Sequence, residues 1–415
     1  MELFKVVRFY LFFYSERAFE GDAVMKYRIM GKTGERVSAL GFGMMRLPIV
    51  DGDPSHIDEP KAAAMLHQAI DQGINYIDTA YPYHGTGFQK GGQSEPFVGR
   101  ALKGGYREKV KLATKLPSWL VHERGDFDRY LDEQLNRLQT SWIDFYLIHT
   151  LDRKRWPQVV EAGVFDFIEK ALKSGKIKHI GFSFHDQLSL FKEIVDAYPW
   201  DMCQIQYNYL DENYQAGTEG LKYAASKGLG VVIMEPLRGG SLVQQMPPDA
   251  CEIFTRADSS KSLADWGLSW VMNHPEVSVV LSGMSSMEQL ETNIKIAEHS
   301  EPGMLSDSEM SAIEKVKELF KSRQKIGCTG CGYCMPCPAG VNIPENFKLY
   351  NTAYLFNNLE HCKFSYGLLT QHQQAQYCKK CGRCEQHCPQ GLPIMETLVK
   401  VHQALQGSNV TFEGA

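Results

Sequence analysis

Two cysteine runs near the end of the chain have the residue types and the spacing to hold metal. The first is Cys328-Thr-Gly-Cys331-Gly-Tyr-Cys334-Met-Pro-Cys337-Pro338; the second is Cys378-Lys-Lys-Cys381-Gly-Arg-Cys384-Glu-Gln-His-Cys388-Pro389. Two intervening residues let successive thiolates converge from one tight turn. Gly330, Gly332 and Gly382 let the backbone approach sulfur and donate N–H bonds to it. The second run has the C-x2-C-x2-C-x3-C-P spacing of chains with two 4Fe-4S clusters, in which the fourth cysteine serves the other cluster. The expected sets are therefore Cys328, Cys331, Cys334 and Cys388 on one cluster, and Cys378, Cys381, Cys384 and Cys337 on the other. Paired C-x-x-C is also the spacing of four-cysteine zinc sites. Eight cysteines in two triple runs, each closed by Cys-Pro, favour iron–sulfur. The first run has two residues rather than three before its fourth cysteine, which leaves the partner of Cys337 open.

Upstream, three apolar runs in succession end on an ionisable residue: Ile74-Asn-Tyr-Ile-Asp78, Val110-Lys-Leu-Ala-Thr-Lys115 and Phe145-Tyr-Leu-Ile-His149. Tyr83 follows Asp78 in the loop Ala80-Tyr-Pro-Tyr-His-Gly85. Taken singly, a strand-end Asp is more often a helix cap and a lone His a satisfied structural residue. Four together, on adjacent strand ends, read as a converging site.

The elements that must position them are legible from Met25 onward. Short apolar runs (Leu40–Met44, Ile74–Asp78, Val110–Lys115, Ile143–His149, Ile177–Ser183, Met202–Gln206, Gly230–Glu235 and Val277–Ser282) alternate with amphipathic segments such as Pro60–Gln72, Phe127–Leu138 and Met287–Ala297. Eight strands with helices between them imply a closed α/β barrel, the (β/α)8 TIM barrel. A doubly wound sheet is the alternative, but no G-x-G-x-x-G follows the first strand. Tyr27–Met30 and Val37–Ala39 form a small hairpin capping the barrel floor. The expected domains are residues 1–24 as an extension of uncertain status, 25–305 as the barrel, and 306–415 as a linker helix with a small, mostly helical cluster domain.

The 415 residues suit two domains. A formal charge of −5 gives no basic excess for nucleic acid. Eight of the eleven cysteines lie in the two runs, which a disulfide-forming compartment would oxidise, so the cytoplasm is the expected home. No segment has the apolar length of a membrane span. Phe4–Tyr14 is apolar and aromatic but interrupted by Lys5 and Arg8, so a signal anchor is the weaker reading and Met25 a candidate start.

Residues 25–300 resemble the aldo/keto reductase family, and 25–400 resemble its members with a C-terminal ferredoxin-like tail. The stretches that carry this are Ile77-Asp-Thr-Ala-Tyr-Pro-Tyr83, Leu112-Ala-Thr-Lys115, Asp144-Phe-Tyr-Leu-Ile-His149, Ile180-Gly-Phe-Ser183 and Gln204-Ile-Gln-Tyr-Asn208. The resemblance implies a catalytic tetrad of Asp78, Tyr83, Lys115 and His149. Tyr83 would be the proton donor, eased by Lys115, which Asp78 holds, while His149 orients the carbonyl. It also implies a nicotinamide nucleotide. Ser183 and Gln204 would hold its carboxamide, and Met234 would cover its ring in place of the more usual Tyr. Leu237, Arg238 and Gly239 would meet the pyrophosphate, with Gly283, Ser285, Gln289 and Asn293 on the adenosine. Family members that use NADPH carry Lys and Arg where this chain has Gly283 and Gln289, so NADH is favoured over NADPH. The residue after Ser183 is Phe184 rather than the usual Asn.

The reading that follows is an oxidoreductase acting on a small carbonyl or alcohol, with two 4Fe-4S clusters that exchange electrons with a redox partner protein. The alternative is an electron-transfer or redox-sensing protein whose barrel binds a nicotinamide without turnover. No flavin motif is present to split a hydride into single electrons. The Gly85–Gly92 loop and the Leu151–Gly163 stretch with Trp156 are expected at the mouth of the pocket. Cys203 reads as a small core residue and Cys362 as a spare thiol.

Overall fold

A computed structural model describes residues 24–328, 330, 332, 334–388 and 391–406. Most of the 1–24 extension, Cys331 and Pro389 lie outside the described residues. β1 (Tyr27–Ile29) and β2 (Arg36–Ser38) pair as an antiparallel hairpin. β3 (Leu40–Gly43), β4 (Tyr76–Asp78), β5 (Lys111–Leu116), β6 (Ile143–Leu151), β7 (Ile177–Phe184), β8 (Met202–Gln206), β9 (Gly230–Met234) and β10 (Val277–Ser282) close into a parallel barrel. The expected (β/α)8 barrel is the observed one.

Both faces of each strand are buried, which is why the runs are continuously apolar rather than alternating. Outward residues such as Ile77, Leu112, Tyr146 and Phe182 join the helices in one large core. Inward residues fill the lumen: Tyr76, Ala113, Phe145, Leu147, Met202, Val232, Val279 and Leu281. The hairpin closes the floor, where Met30 is fully buried and lies so close to Gly230 that a Cβ there would sit 2.3 Å from its sulfur.

One barrel helix escapes the sequence pattern. Ser94–Ala101, between β4 and β5, is short and carries Pro96 in its first turn and Gly99 in its middle, residues that mark a helix poorly. Gly99 is needed because an added Cβ would lie 2.7 Å from the Arg137 carbonyl oxygen of the next helix. β6 also runs past His149, with a register shift between Ile148 and Leu151 and Thr150 at φ 53°, a bulge beside the candidate site.

Helix Asp307–Arg323 leaves the barrel, opened by a reciprocal capping box between Ser306 and Glu309. Beyond it, helices Ile343–Leu355, Leu359–Gly367 and Ile394–Leu405 build a second core around Phe347, Leu398, Val401 and Leu405. That core agrees with the mostly helical tail expected, and Cys362 is buried within it. Among the described residues no helix is long and apolar enough to cross a membrane.

Candidate active site

The barrel's register brings the three strand-end groups together. Asp78 pairs with Ala113 on β5, and Lys115 lies two residues further along that strand. Lys115 pairs with Leu147 on β6, and His149 lies two residues beyond it. A step of two keeps the side chain on the same face, and the stagger of a closed barrel moves each strand along its neighbour. Asp78, Lys115 and His149 are thus the next inward layer above Tyr76, Ala113 and Leu147. Gln204 above Met202, Met234 above Val232 and Gly283 above Leu281 extend the layer by the same count.

Lys115 is 1% exposed and spends its three protons on three partners. Its Nζ donates to Asp78 Oδ1 at 2.6 Å, to the Thr79 carbonyl at 2.9 Å and to the Tyr83 hydroxyl at 3.4 Å. Burial alone would pull the ammonium's pKa down, but Asp78 and Tyr83 together outweigh it and the net shift is upward. Tyr83 moves up from its ordinary value because burial outweighs the pull of Lys115. The phenol is therefore a fully protonated acid at neutral pH, with a cation waiting beside its oxygen.

A clamp behind the strand fixes this arrangement. Buried Glu95 accepts from Thr114 Oγ1 at 2.7 Å, Gln134 Nε2 at 2.6 Å and Arg137 Nε at 2.8 Å. Gln134 also donates to the Lys115 carbonyl at 3.0 Å. The Tyr83 loop is turned by His84 at φ 57°, whose Nδ1 meets the Pro54 carbonyl at 2.7 Å.

His149 is buried, and its ring stands edge-on to Tyr83 at 6.2 Å between centroids. Burial, reinforced by the charge of Lys115, drives its pKa far below the usual imidazole value, so it is neutral. Trp119 packs on its other side at 5.3 Å, tied by its indole N–H to the Phe88 carbonyl at 2.8 Å. Trp119 is absent from the sequence reading, because its loop follows β5 while its contacts come from β6 and the Gly85–Gly92 loop. Trp156 was expected at the mouth and is instead 6% exposed, packed on Phe165 and Trp200. Its own helix turns it inward to the core.

Among the residues expected to meet a nucleotide, Ser183 Oγ accepts from the Thr150 backbone N–H at 2.7 Å. The Oε1 of Gln204 is buried without a partner, which suits an amide N–H of an arriving ligand. Phe184 points into the core against Phe191 at 5.1 Å, so it takes no ligand contact where Asn would be expected to make one. Arg238 leans between Asp211, at 3.6 Å, and the ring of Phe356. Leu237 is part-buried and Gly239 exposed with φ 65°. Ser285 N–H donates to Gln289 Oε1 at 2.9 Å, and Asn293 donates to Ser282 Oγ at 2.9 Å. Sequence reasoning missed Arg46, an exposed residue beyond β3 whose stem covers Gly283; a Cβ at 283 would lie 2.8 Å from Arg46 Cγ. The chain thus brings the stem of a basic residue from beyond β3 against Gly283.

In the tail, Cys337, Cys378, Cys381 and Cys384 line one cavity, walled by Ile343 and Leu398. That is the set the second run implied, and it includes Cys337 despite the shortened spacing. Among the described residues no three His, Cys, Asp or Glu are grouped as ligands of a single ion. Four thiols around a cavity suit a polynuclear cluster better than one zinc. The Gly330 N–H points at Cys328 Sγ and the Lys380 N–H at Cys378 Sγ, each at 3.5 Å, the backbone donors such sulfurs need. Gly330, Gly332 and Gly382 all have φ between 70° and 78°. Cys334 and Cys388 are half-buried nearby in sequence, and their fellow Cys331 lies outside the described residues. Cys203 is a buried β8 residue, as expected.

Comparison with known proteins agrees with this geometry. The aldo/keto reductase family model matches residues 39–318, and a 4Fe-4S dicluster domain matches 327–393. L-galactose dehydrogenase of Arabidopsis thaliana is 29% identical over 72% of this chain and 96% of its own length. An uncharacterized oxidoreductase of Bacillus subtilis is 31% identical over 66% of this chain and 92% of its own. The holo form of an aldo-keto reductase from Bacillus halodurans superimposes with a TM-score of 0.57 at 26% identity, covering 70% of this chain and 96% of that one. The chain belongs to the aldo/keto reductase family and carries a C-terminal 4Fe-4S dicluster domain.

Proposed function

We propose that the barrel transfers hydride between a nicotinamide and a small carbonyl or alcohol, and that the eight cysteines hold two clusters that exchange single electrons with a partner protein. The observation that carries the first half is Lys115, buried and saturated by Asp78, Thr79 and Tyr83. A bound nicotinamide supplies or accepts the hydride. Reduction builds negative charge on the substrate oxygen, which needs donors already in place. Tyr83 gives that oxygen its proton, and the charge left on the phenol oxygen falls 3.4 Å from Lys115 Nζ. Asp78 keeps the lysine charged and aimed. Neutral His149 orients the carbonyl without adding a cation to compete with Lys115.

Ser183 and Gln204 hold the carboxamide, Met234 covers the ring, Leu237, Arg238 and Gly239 face the pyrophosphate, and Gly283, Ser285, Gln289 and Asn293 face the adenosine. The uncharged residues at 283 and 289 favour NADH over NADPH, and the stem of Arg46 lies against Gly283. L-galactose is a first substrate to try, because a relative is named for it.

The test is Tyr83→Phe in cluster-loaded protein under anaerobic conditions. Carbonyl reduction should fall about 10²–10⁴-fold, the size of a general acid's contribution, with nicotinamide affinity unchanged. Near-normal turnover would sink the assignment.

A further inference from the structure

We infer that the exposed rim of the cavity formed by Cys337, Cys378, Cys381 and Cys384 is the docking surface for an acidic one-electron carrier protein; this rests on the cluster reading above. Cys381 is exposed while Cys337, Cys378 and Cys384 are half-buried, so of the four thiols Cys381 is the one nearest solvent. Lys379, Lys380 and Arg383 flank it, all exposed, and Lys379 also lines the cavity.

The other lysines of this module are mostly occupied. Lys348 pairs with Glu345, Lys363 with Glu360 and Lys400 with Glu396, while Lys325 lies over the Tyr354 ring. No ion pair engages Lys379, Lys380 or Arg383 among the described residues. Glu385, the carboxylate nearest in sequence, turns inward to accept from the Met395 N–H at 2.8 Å.

Three cations without counter-ions stand out on a chain whose 49 acidic residues exceed its 44 basic ones. A partner with an acidic face is repelled by the net charge of the molecule and attracted locally at this rim. Such a field steers encounter and orients the partner's redox centre toward Cys381. With a cluster held by these four cysteines, the exchange would pass one electron from the carrier's centre to that cluster, with no bond formed and no proton moved. The same charges placed only to balance an anionic cluster would tune its potential without recruiting a protein.

The probe is an acidic plant-type 2Fe-2S ferredoxin titrated into the full-length, cluster-loaded protein, with binding read by calorimetry. Affinity should fall at least about tenfold between about 25 mM and 300 mM salt. The triple variant Lys379→Glu/Lys380→Glu/Arg383→Glu should lose binding at low salt while iron content and nucleotide affinity stay unchanged. If reversal costs iron, the Lys379→Gln/Lys380→Gln/Arg383→Gln variant replaces it, with a smaller loss expected. Unchanged ferredoxin binding in the iron-replete variant overturns the proposal. So does a shift in cluster potential with binding intact, which would leave charge balance as the cations' role.

Discussion

Replacing Lys115 with methionine removes one charge of a buried pair while keeping most of the side chain's volume. Asp78 is 2% exposed; it would lose its 2.6 Å contact, and its Oδ2 has no partner to begin with. Breaking such a pair from one side costs about 3–5 kcal/mol. At roughly 2–4 °C per kcal/mol, the thermal midpoint near neutral pH falls by on the order of 10 °C. The pH dependence has a definite sign. Burial is the leading influence on the Asp78 carboxyl and raises its pKa; without Lys115 nothing opposes it. A group whose folded pKa lies above its unfolded value adds stability that is full below the unfolded pKa and lost as pH rises through the folded one. The deficit of Lys115→Met is therefore greatest at neutral and alkaline pH and shrinks as pH is lowered toward about 4. Adding Asp78→Leu removes the stranded carboxylate and recovers most of the loss. Activity does not return with it. At 3.4 Å, an ammonium stabilises a phenolate by about 5 kcal/mol at an effective dielectric near 20. Solvent at half-buried Tyr83 trims this, leaving a rate loss of about 10²–10³. Scanning calorimetry across pH, with anaerobic initial rates, reads both effects. A single variant as stable as wild type at pH 7, or a double variant no more stable than the single, would refute the charged-pair argument.

Two further outcomes follow from the cysteines and from Arg46. Cys337→Ser should bind about half the iron of the wild type, because one of two clusters loses a ligand. Cys362→Ser should bind as much as the wild type: that thiol is buried in the tail's apolar core, which pushes its pKa up to about 11. Equal iron in both variants would show that Cys337 is not a ligand. Arg46→Ala should weaken nucleotide binding about tenfold or more, the worth of a charged hydrogen bond, as read by fluorescence titration. An unchanged dissociation constant for both NADH and NADPH would remove Arg46 from the site.

The inward layer of the site was legible because it is one-dimensional. Asp78, Lys115 and His149 each end or nearly end an apolar run, and a fixed step of two along a strand needs no knowledge of neighbours. Cys337 was half legible: its run and its expected partners were plain, the shortened spacing left the pairing open, and the four cysteines line one cavity. Arg46, Trp119 and the Glu95 clamp were not legible. Each acts on a residue from another strand or loop, and nothing local in the sequence marks that contact. Trp156 failed in the opposite way. An aromatic near a strand's C-terminal end looked like a pocket wall, but the short helix Arg155–Glu161 turns it onto Trp200.

The two halves of the molecule also meet at a place the sequence does not advertise. A Cβ on Gly330, between the first and second cysteines of the first run, would lie 3.0 Å from the Tyr214 hydroxyl in the loop after β8. Lys317 of the linker helix pairs with Glu212 in that loop. Phe320 and Phe356 meet edge to face at 5.3 Å, and Arg238 lies over Phe356 while reaching toward Asp211. The loops after β8 and β9, where the proposed nucleotide residues lie, touch the tail through these contacts. Anything that orders the first cysteine run therefore also presses on the segment carrying Arg238. Binding free energies linked through a shared segment act reciprocally. Nucleotide affinity measured on protein without its clusters is then the affinity of a differently supported loop, and the difference between the two measurements gives the size of the coupling.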